Sequence, residues 1–539
     1  MTELPDPPSL ADPITAQILR VAAVHDQLQP WSDGARRASR HLPCYTPAQA
    51  DALAAELAHL QALERWWQVT LPPIQESLAE HLSALPEVRD AARRLEAGGA
   101  READLFTFKR ALYHGALALD AAAEAPGVDA FAAQAEQLRA CMAALHPEPA
   151  ASPRFTLSPS LDAGYGALRK RQRAARRTLR QHQHALEAAL RAEYGTLKLL
   201  LDGSVMVSGP DMARAAADPR LTARGDGWTF ADAEWQALDA EARALDAELE
   251  VVEVALRQRL ASQLLAELPT IQRALDALTQ LDLRLARVRL RDTIGGCWPT
   301  LLSDEAPTAC AMVGAVHPAL RAQQSVTGEP QPISLKHDGR PLALVGPNMG
   351  GKSAALSLLG LCWWCAQHAL PAPAEAFAFR PVHAIVYVGA EEPGARAAEG
   401  LSSFGREIRR VVQARAAALT PSLWLLDELG RGTHPDEGAS VALEVIRTLA
   451  AEGHLLMLAT HFPQLAASEG LSRWRVQGLR ADRLDARLAA LGADASDAAL
   501  EGALRDAMDY ALTPDDDAQV PRDARRIARL LGWRGDPNP

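Results

Sequence analysis

Lysine is nearly missing from this sequence of 539 residues: of 56 basic residues only Lys109, Lys170, Lys198, Lys336 and Lys352 are lysine, the rest arginine. Alanine is very abundant, and we read both biases as habits of genome composition rather than chemistry. Cysteine is scarce. Cys44, Cys141, Cys297, Cys310, Cys362 and Cys365 are irregularly spaced, which excludes a disulfide scaffold and suits a reducing compartment. Cys362-Trp363-Trp364-Cys365 is formally a CxxC, but it has no second pair and sits in an apolar helical run, so it reads as buried packing. No apolar run reaches the ~20 residues that a membrane-spanning helix needs. The first residues, MTELPDPPSLADP, lack a basic stretch followed by an apolar one, so no signal peptide is expected. The expectation is a soluble, cytoplasmic protein. A net charge of −11 excludes a uniformly basic nucleic-acid coat but leaves room for a local basic patch.

What is present is an ordinary globular balance, 48% apolar and 23% charged, in a chain long enough for two to four domains at ~100–200 residues each. Residues 1–150 read as a helical domain, rich in Ala, Leu, Glu and Arg at helical spacing. The Pro/Ser-rich stretch 147–160 marks a boundary. A long helix is expected over about 163–194, and a second over about 230–265. In the second, Trp235, Leu238, Ala242, Leu245, Leu249, Val252 and Leu256 alternate by three and four, the spacing of a coiled-coil seam. Between them, LKLLL and SVMV flank Asp202-Gly203, a type I′ hairpin signal. The pattern over 151–285 suggests an antiparallel two-helix arm with a compact tip, although a plain helical hairpin has the same periodicity. From about 281 the character changes. Strand-length apolar runs at 342–345, 385–388, 423–426 and 454–459 alternate with helical stretches, as in an α/β sheet buried on both faces, giving a third unit over 286–539.

The chemistry lies in that third unit. Gly346-Pro347-Asn348-Met349-Gly350-Gly351-Lys352-Ser353 fits GxxxxGK[ST], the Walker A pattern, after an apolar strand and before a helix. Glycines there let backbone N–H groups wrap phosphate oxygens at a helix N-terminus. Lys352 would meet the β- and γ-phosphates of ATP, and Ser353 would ligate Mg²⁺. About seventy residues on, Leu423-Trp424-Leu425-Leu426-Asp427-Glu428 reads as a Walker B strand presenting two acids. Asp427 suits the Mg²⁺ shell and Glu428 the attacking water. His461, just beyond another apolar strand, is placed to sense the γ-phosphate.

These strings resemble the MutS family of ATPases, the family of DNA mismatch repair. GPNMGGKS with its Asn-Met, DELGRGT (427–433) and ATHF (459–462) are similar to that family's P-loop, Mg²⁺/water motif and histidine switch. Gly400-Leu401-Ser402-Ser403-Phe404-Gly405-Arg406-Glu407 resembles its signature segment, in which a serine reaches the nucleotide of the opposite subunit. Ser402 best matches that serine. His317-Pro318 resembles the family's His-Pro at the entry to the ATPase. Tyr510-Ala511-Leu512 with a helix at 527–532 fits its end, and Pro30-Trp31-Ser32-Asp33-Gly34 fits its core. The resemblance implies a multidomain α and α/β fold: a helical core, long antiparallel lever helices with a small clamp-like insertion, then a P-loop ABC-type ATPase domain. It also implies a homodimer with composite sites. It does not extend to the family's mismatch-reading and connector domains, nor to the Smr nuclease domain of the second MutS branch. The loop 432–438, GTHPDEG, nevertheless looks closer to that branch.

Arg169, Lys170, Arg171, Arg173, Arg176, Arg177 and Arg180 crowd the first arm helix, and 169, 173, 176, 177 and 180 share one face. Such a face can track the phosphates of double-stranded DNA without reading sequence, since no aromatic residues interleave. It can equally be a solvated helix. Three functions follow: a DNA-binding ATPase clamp, which we favour; an ATP-driven remodeller of a protein client, similar to reactivating factors of cobalamin-dependent aminomutases; and an inert nucleotide-binding scaffold, which the intact Lys352, Ser353, Asp427 and Glu428 argue against.

Overall fold

The computed structural model describes residues 10–127, 130–145, 155–199, 205–224, 227–303, 305–321, 330–347, 351–389, 402–491, 502–504 and 506–515. Helices dominate the first part. Ala50–Val69, Pro72–Ala84, Arg89–Glu96, Glu102–Ala121 and Phe131–Leu145 bury Leu63, Leu78, Leu82, Phe108, Leu112 and Leu138 in one apolar cluster.

One helix ties the molecule together. Ala233–Ile294 runs for 62 residues, ~90 Å at 1.5 Å per residue. Asp232 caps its start by accepting from the Trp235 N–H at 2.9 Å, and Gly295 ends it in the left-handed region at φ 58°. The expected end near 265, the onset of α/β character near 281 and the boundary at 285/286 all fall inside this helix. It carries Pro269 within it. The physical reason is the apolar stripe, which continues through Leu264, Leu268, Ile271, Leu275, Leu278, Leu285 and Val288 into the helical cluster. Burial of that stripe outweighs the backbone hydrogen bond that proline forfeits.

The other arm helix, Ala163–Glu193, lies antiparallel to it. Tyr165 donates to Glu253 at 3.0 Å, Gln172 to Asp246 at 2.8 Å, and His182 meets Asp232 at 2.7 Å, so pairing runs in opposite directions along the two. Between them sits a four-stranded antiparallel sheet in the order Lys198–Leu199, Val205–Met206, Gly227–Phe230, Leu221–Arg224. Its core is Leu190, Tyr194, Val205, Trp228, Phe230 and Trp235. Asp202 and Gly203 lie outside the described residues. Leu199 pairs with Val205, one residue out of the register that a two-residue turn at those positions would set. The hairpin is there, but not with the simple type I′ register.

The four expected strands do form one sheet. It has six strands, in the order Ile385–Gly389, Leu423–Asp427, Leu455–Ala459, Leu342–Val345, Ser472–Leu479, Met508–Pro514; the first five are parallel and the last is antiparallel. Tyr510-Ala511-Leu512 lies in that last strand, and the helix expected at 527–532 lies outside the described residues. A second sheet of Thr300–Leu301, Ala376–Phe379, Cys310–Ala315 and Ile333–His337 packs beside it. Cys362 and Cys365 are buried, unpaired thiols on the helix Lys352–Gln367, in keeping with packing.

The N-terminal segment is the surprise. Instead of staying with the helical cluster, residues 10–19 attach to the P-loop sheet and its first helix. The Ile385 N–H donates to Leu10 O at 2.7 Å, Ser357 Oγ donates to Ile18 O at 2.8 Å, and Leu19 is fully buried against it. Farther along, the Trp31 and Ser32 N–H groups donate to the buried Asp282 carboxylate at 3.0 and 2.7 Å, which joins the PWSDG stretch to the long helix.

Candidate nucleotide site

Parallel pairing builds the site. Asp427 pairs with Ala459, and Ala459 with Leu344 of the P-loop strand, so the ends of three strands stand side by side. The P-loop, the Asp-Glu pair and His461 all leave from that edge, where ligands bind in open α/β sheets. Gly351 takes φ 84° at the head of the helix Lys352–Gln367, a left-handed conformation that suits glycine. Lys352 is buried, and its Nζ donates to Gly346 O and Pro347 O, both at 3.0 Å. Burial pulls its ammonium below the usual lysine range, while Glu428 and Asp427 pull the other way. Asn348, Met349 and Gly350 lie outside the described residues.

Burial holds the Asp427 carboxyl above its ordinary range, and hydroxyls of Ser353 and Tyr387 oppose this. Tyr387 donates to Asp427 Oδ2 at 2.6 Å, whereas Oδ1 is buried with no well-formed hydrogen bond among the described residues. An acceptor left so is costly unless an ion completes it. With the Ser353 hydroxyl beside it, the pair fits Mg²⁺, a hard cation that takes one or two protein oxygens and completes its shell with phosphate and water. Among the described residues, no group of three or more His, Cys, Asp or Glu side chains is gathered as a metal site.

Glu428 follows in a strained backbone. Its φ of 53° is left-handed, its N–H donates to Ala459 O at 3.0 Å, and its Oε2 accepts from Arg431 Nη1 at 2.7 Å. Non-glycine residues held this way cost about 1–3 kcal/mol and gather at functional sites. His461 Nδ1 stands 3.8 Å from Glu428 Oε1, too far for a hydrogen bond, and is buried without a partner among the described residues. Burial lowers its pKa, and the nearby Glu428 opposes the shift.

Ser402 caps the helix Ser403–Ala417, its Oγ accepting from the Gly405 N–H at 3.1 Å. That helix grips the Asp-Glu loop. Glu407 is buried, and its Oε2 accepts from the Gly430 N–H at 3.0 Å. Gly430 itself has φ 90°, and a Cβ there would lie 2.7 Å from Gly438 O. His317 does not line the nucleotide site through its ring. Its Nδ1 accepts from the Ala319 N–H at 3.2 Å, leaving Nε2 to donate to Leu19 O at 3.4 Å. Here it pins the N-terminal segment.

Sequence reasoning missed Tyr387, Glu407 and Arg431. Arg431, three residues after Glu428, was findable from spacing. Tyr387 and Glu407 reach partners 40 and 23 residues away, and nothing local announces that. Two arginines of the basic helix have partners within the arm. Arg169 Nη1 donates to Leu157 O at 2.8 Å and to the Tyr165 hydroxyl at 2.7 Å, and Arg176 is paired with Asp246. Arg169 is half-buried in these bonds, and Arg176, though exposed, is held by an ion pair to the opposite helix. Arg173, Arg177 and Arg180 remain exposed, with Lys170 and Arg171.

Residues 342–490 match the family model of MutS domain V. Endonuclease MutS2 of Solidesulfovibrio magneticus is 35% identical over 206 residues, 38% of this chain and 25% of that protein. Endonuclease MutS2 of Thermomicrobium roseum is 34% identical over 194 residues, covering 34% and 24%. That of Synechocystis sp. is 32% identical over 241 residues, covering 40% and 29%. The chain thus spans about a quarter of the length of the curated relatives it matches. No helix among the described residues is long and apolar enough to cross a membrane. The P-loop region of this chain, residues 342–490, is thus similar to domain V of the MutS family.

Proposed function

We propose that the protein hydrolyses ATP at composite sites of a homodimer and couples that cycle to DNA through its two-helix arm, in the manner of a clamp, in the cytoplasm. The carrying observation is the convergence of Lys352, Ser353, Asp427, Glu428 and His461 at one sheet edge, with Lys352 within electrostatic reach of both acids. Lys352 takes the β- and γ-phosphates in place of the loop carbonyls it now meets. Ser353 and Asp427 hold Mg²⁺, which when bound neutralises phosphate charge. Glu428 orients and deprotonates the attacking water once Arg431 yields. His461, whose Nδ1 has no partner among the described residues, reports the γ-phosphate. Ser402, at a helix N-terminus, supplies the opposite subunit's contact.

In this reading the helices Ala163–Glu193 and Ala233–Ile294 act as levers and the four-stranded sheet as the clamp tip, with Asp282 and its Trp31 and Ser32 donors linking lever to head. The helical unit 1–150, the arm 151–285 and the ATPase unit 286–539 are the proposed division. The relatives' nuclease name is not carried over, since the match covers about a quarter of their length. The reading as a remodeller of a protein client finds no support in the comparisons.

Steady-state ATPase measured with homoduplex, mismatched and branched DNA, at low and near-physiological salt, tests this. Stimulation that fades with salt is expected. ATPase indifferent to every DNA would remove the clamp and leave a protein client to be sought.

A further inference from the structure

Residues from three distant parts of the chain meet behind the Asp427 carboxylate. The strand Ile385–Gly389 pairs on one side with Leu423–Asp427, which puts Gly389 opposite Asp427. Tyr387, two residues back and on the same face, lays its ring beside the acid and donates to Oδ2 at 2.6 Å. Glycine at 389 makes this approach feasible. A Cβ there would lie 2.9 Å from Tyr387 Cε1 and 3.1 Å from Asp427 Cβ.

The other side of this strand is completed by the N-terminal segment. Ala11 bridges to Ile385, and the Tyr387 N–H donates to Thr15 Oγ1 at 3.1 Å. Thr15 is fully buried. Its helix, Pro13–Ile18, is capped by Asp12, which accepts from the Thr15 N–H at 2.8 Å. Arg410 closes the set: Nε donates to Tyr387 O at 2.7 Å, and Nη2 reaches Asp12 at 3.1 and 3.2 Å and Thr15 Oγ1 at 3.2 Å. Arg410 belongs to the helix that Ser402 caps. One anchor therefore joins the metal strand, the signature helix and the N-terminal segment.

We propose that Tyr387 is a positioning residue for the Asp427 carboxylate, and that Thr15 of the N-terminal segment sets Tyr387 and so belongs to the ATP-hydrolysing site. This rests on reading Asp427 as a Mg²⁺ ligand. A carboxylate rotates readily unless one oxygen is held. The tyrosine holds Oδ2, which leaves Oδ1, without a well-formed hydrogen bond among the described residues, pre-aimed, as the outer partners of metal ligands do elsewhere.

The test is equilibrium binding of a fluorescent ATP analogue to the whole chain, titrated with Mg²⁺, with binding in chelator as reference. Tyr387→Phe is expected to raise the half-saturating Mg²⁺ about tenfold, with chelator-state binding unchanged. Thr15→Val should shift it in the same direction, and Thr15→Ser should restore wild-type behaviour. Asp427→Asn separates the two claims. If it keeps the wild-type Mg²⁺ dependence, the metal assignment itself fails. If it loses that dependence while Tyr387→Phe and Thr15→Val match the wild type, the positioning role is overturned. Equal weakening with and without Mg²⁺ in Tyr387→Phe would also overturn it, since that marks lost packing.

Discussion

Arg431 Nη1 lies 2.7 Å from Glu428 Oε2, so the carboxylate proposed to activate water is held by a residue of its own loop. Replacing the carboxylate by an amide keeps the shape and removes the base. Glu428→Gln should bind ATP normally and hydrolyse it about 10²–10⁴-fold more slowly. Single-turnover hydrolysis and nucleotide binding decide this; normal turnover in the variant would remove the assignment.

Ser402 presents a choice of substitution that its cap geometry makes clear. Alanine would lose both the hydroxyl and the helix cap, worth about 0.5–2 kcal/mol. Asparagine keeps a cap acceptor for the Gly405 N–H and removes the hydroxyl alone. Ser402→Asn should weaken ATP-dependent closure of the dimer without lowering thermal stability. Mixed with Lys352→Ala subunits, it should give activity unlike the average of the two homodimers. An average would leave a role across the interface unsupported.

Gly430 and Gly438 cross so closely that a side chain at either position meets backbone. Gly430→Ala combines that collision with a left-handed φ of 90° and should cost roughly 1–3 kcal/mol in a urea melt. Because Glu407 holds this loop through the Gly430 N–H, hydrolysis should fall more than ATP binding. Wild-type melting and turnover would show that the loop has slack.

Buried histidines set an acid limit on stability. Burial pushes His368 down to about 4, from 6.5 in the open chain. The unfolded chain therefore binds the extra proton first. The stability that neutral His368 contributes is complete above about pH 6.5 and is lost as pH falls toward 4, at up to about 1.4 kcal/mol per pH unit. Melting temperatures at pH 7.5 and 5.0 test it: His368→Leu should lose less on acidification than the wild type. Equal losses would mean that His368 is not held neutral.

Charge reversal at the exposed arginines, Arg173→Glu, Arg177→Glu and Arg180→Glu together, should weaken DNA binding uniformly across sequences. The slope of log affinity against log salt should flatten by roughly one for each phosphate that the arm no longer neutralises. Anisotropy at several salt concentrations measures it. An unchanged slope would return the face to ordinary solvated surface. Arg176 is left alone in this design, since it holds Asp246 of the opposite helix.

The sequence by itself determined which residues make up the proposed nucleotide site. The P-loop is eight consecutive residues between an apolar strand and a helix, and the acids and His461 each follow an apolar run. Their chemistry depends on backbone and neighbours along the chain, so it is written locally. The paired long helices were legible for the same reason, through spacing by three and four. Only the tertiary structure decided what surrounds these parts. The far end of the long helix was obscured by Pro269, which the buried stripe overrides. Two arginines of the basic face are engaged within the arm because Asp246, Leu157 and Tyr165 lie beside them. Thr15 meets Tyr387 across 372 residues, a contact set by how two surfaces pack, which no local pattern encodes.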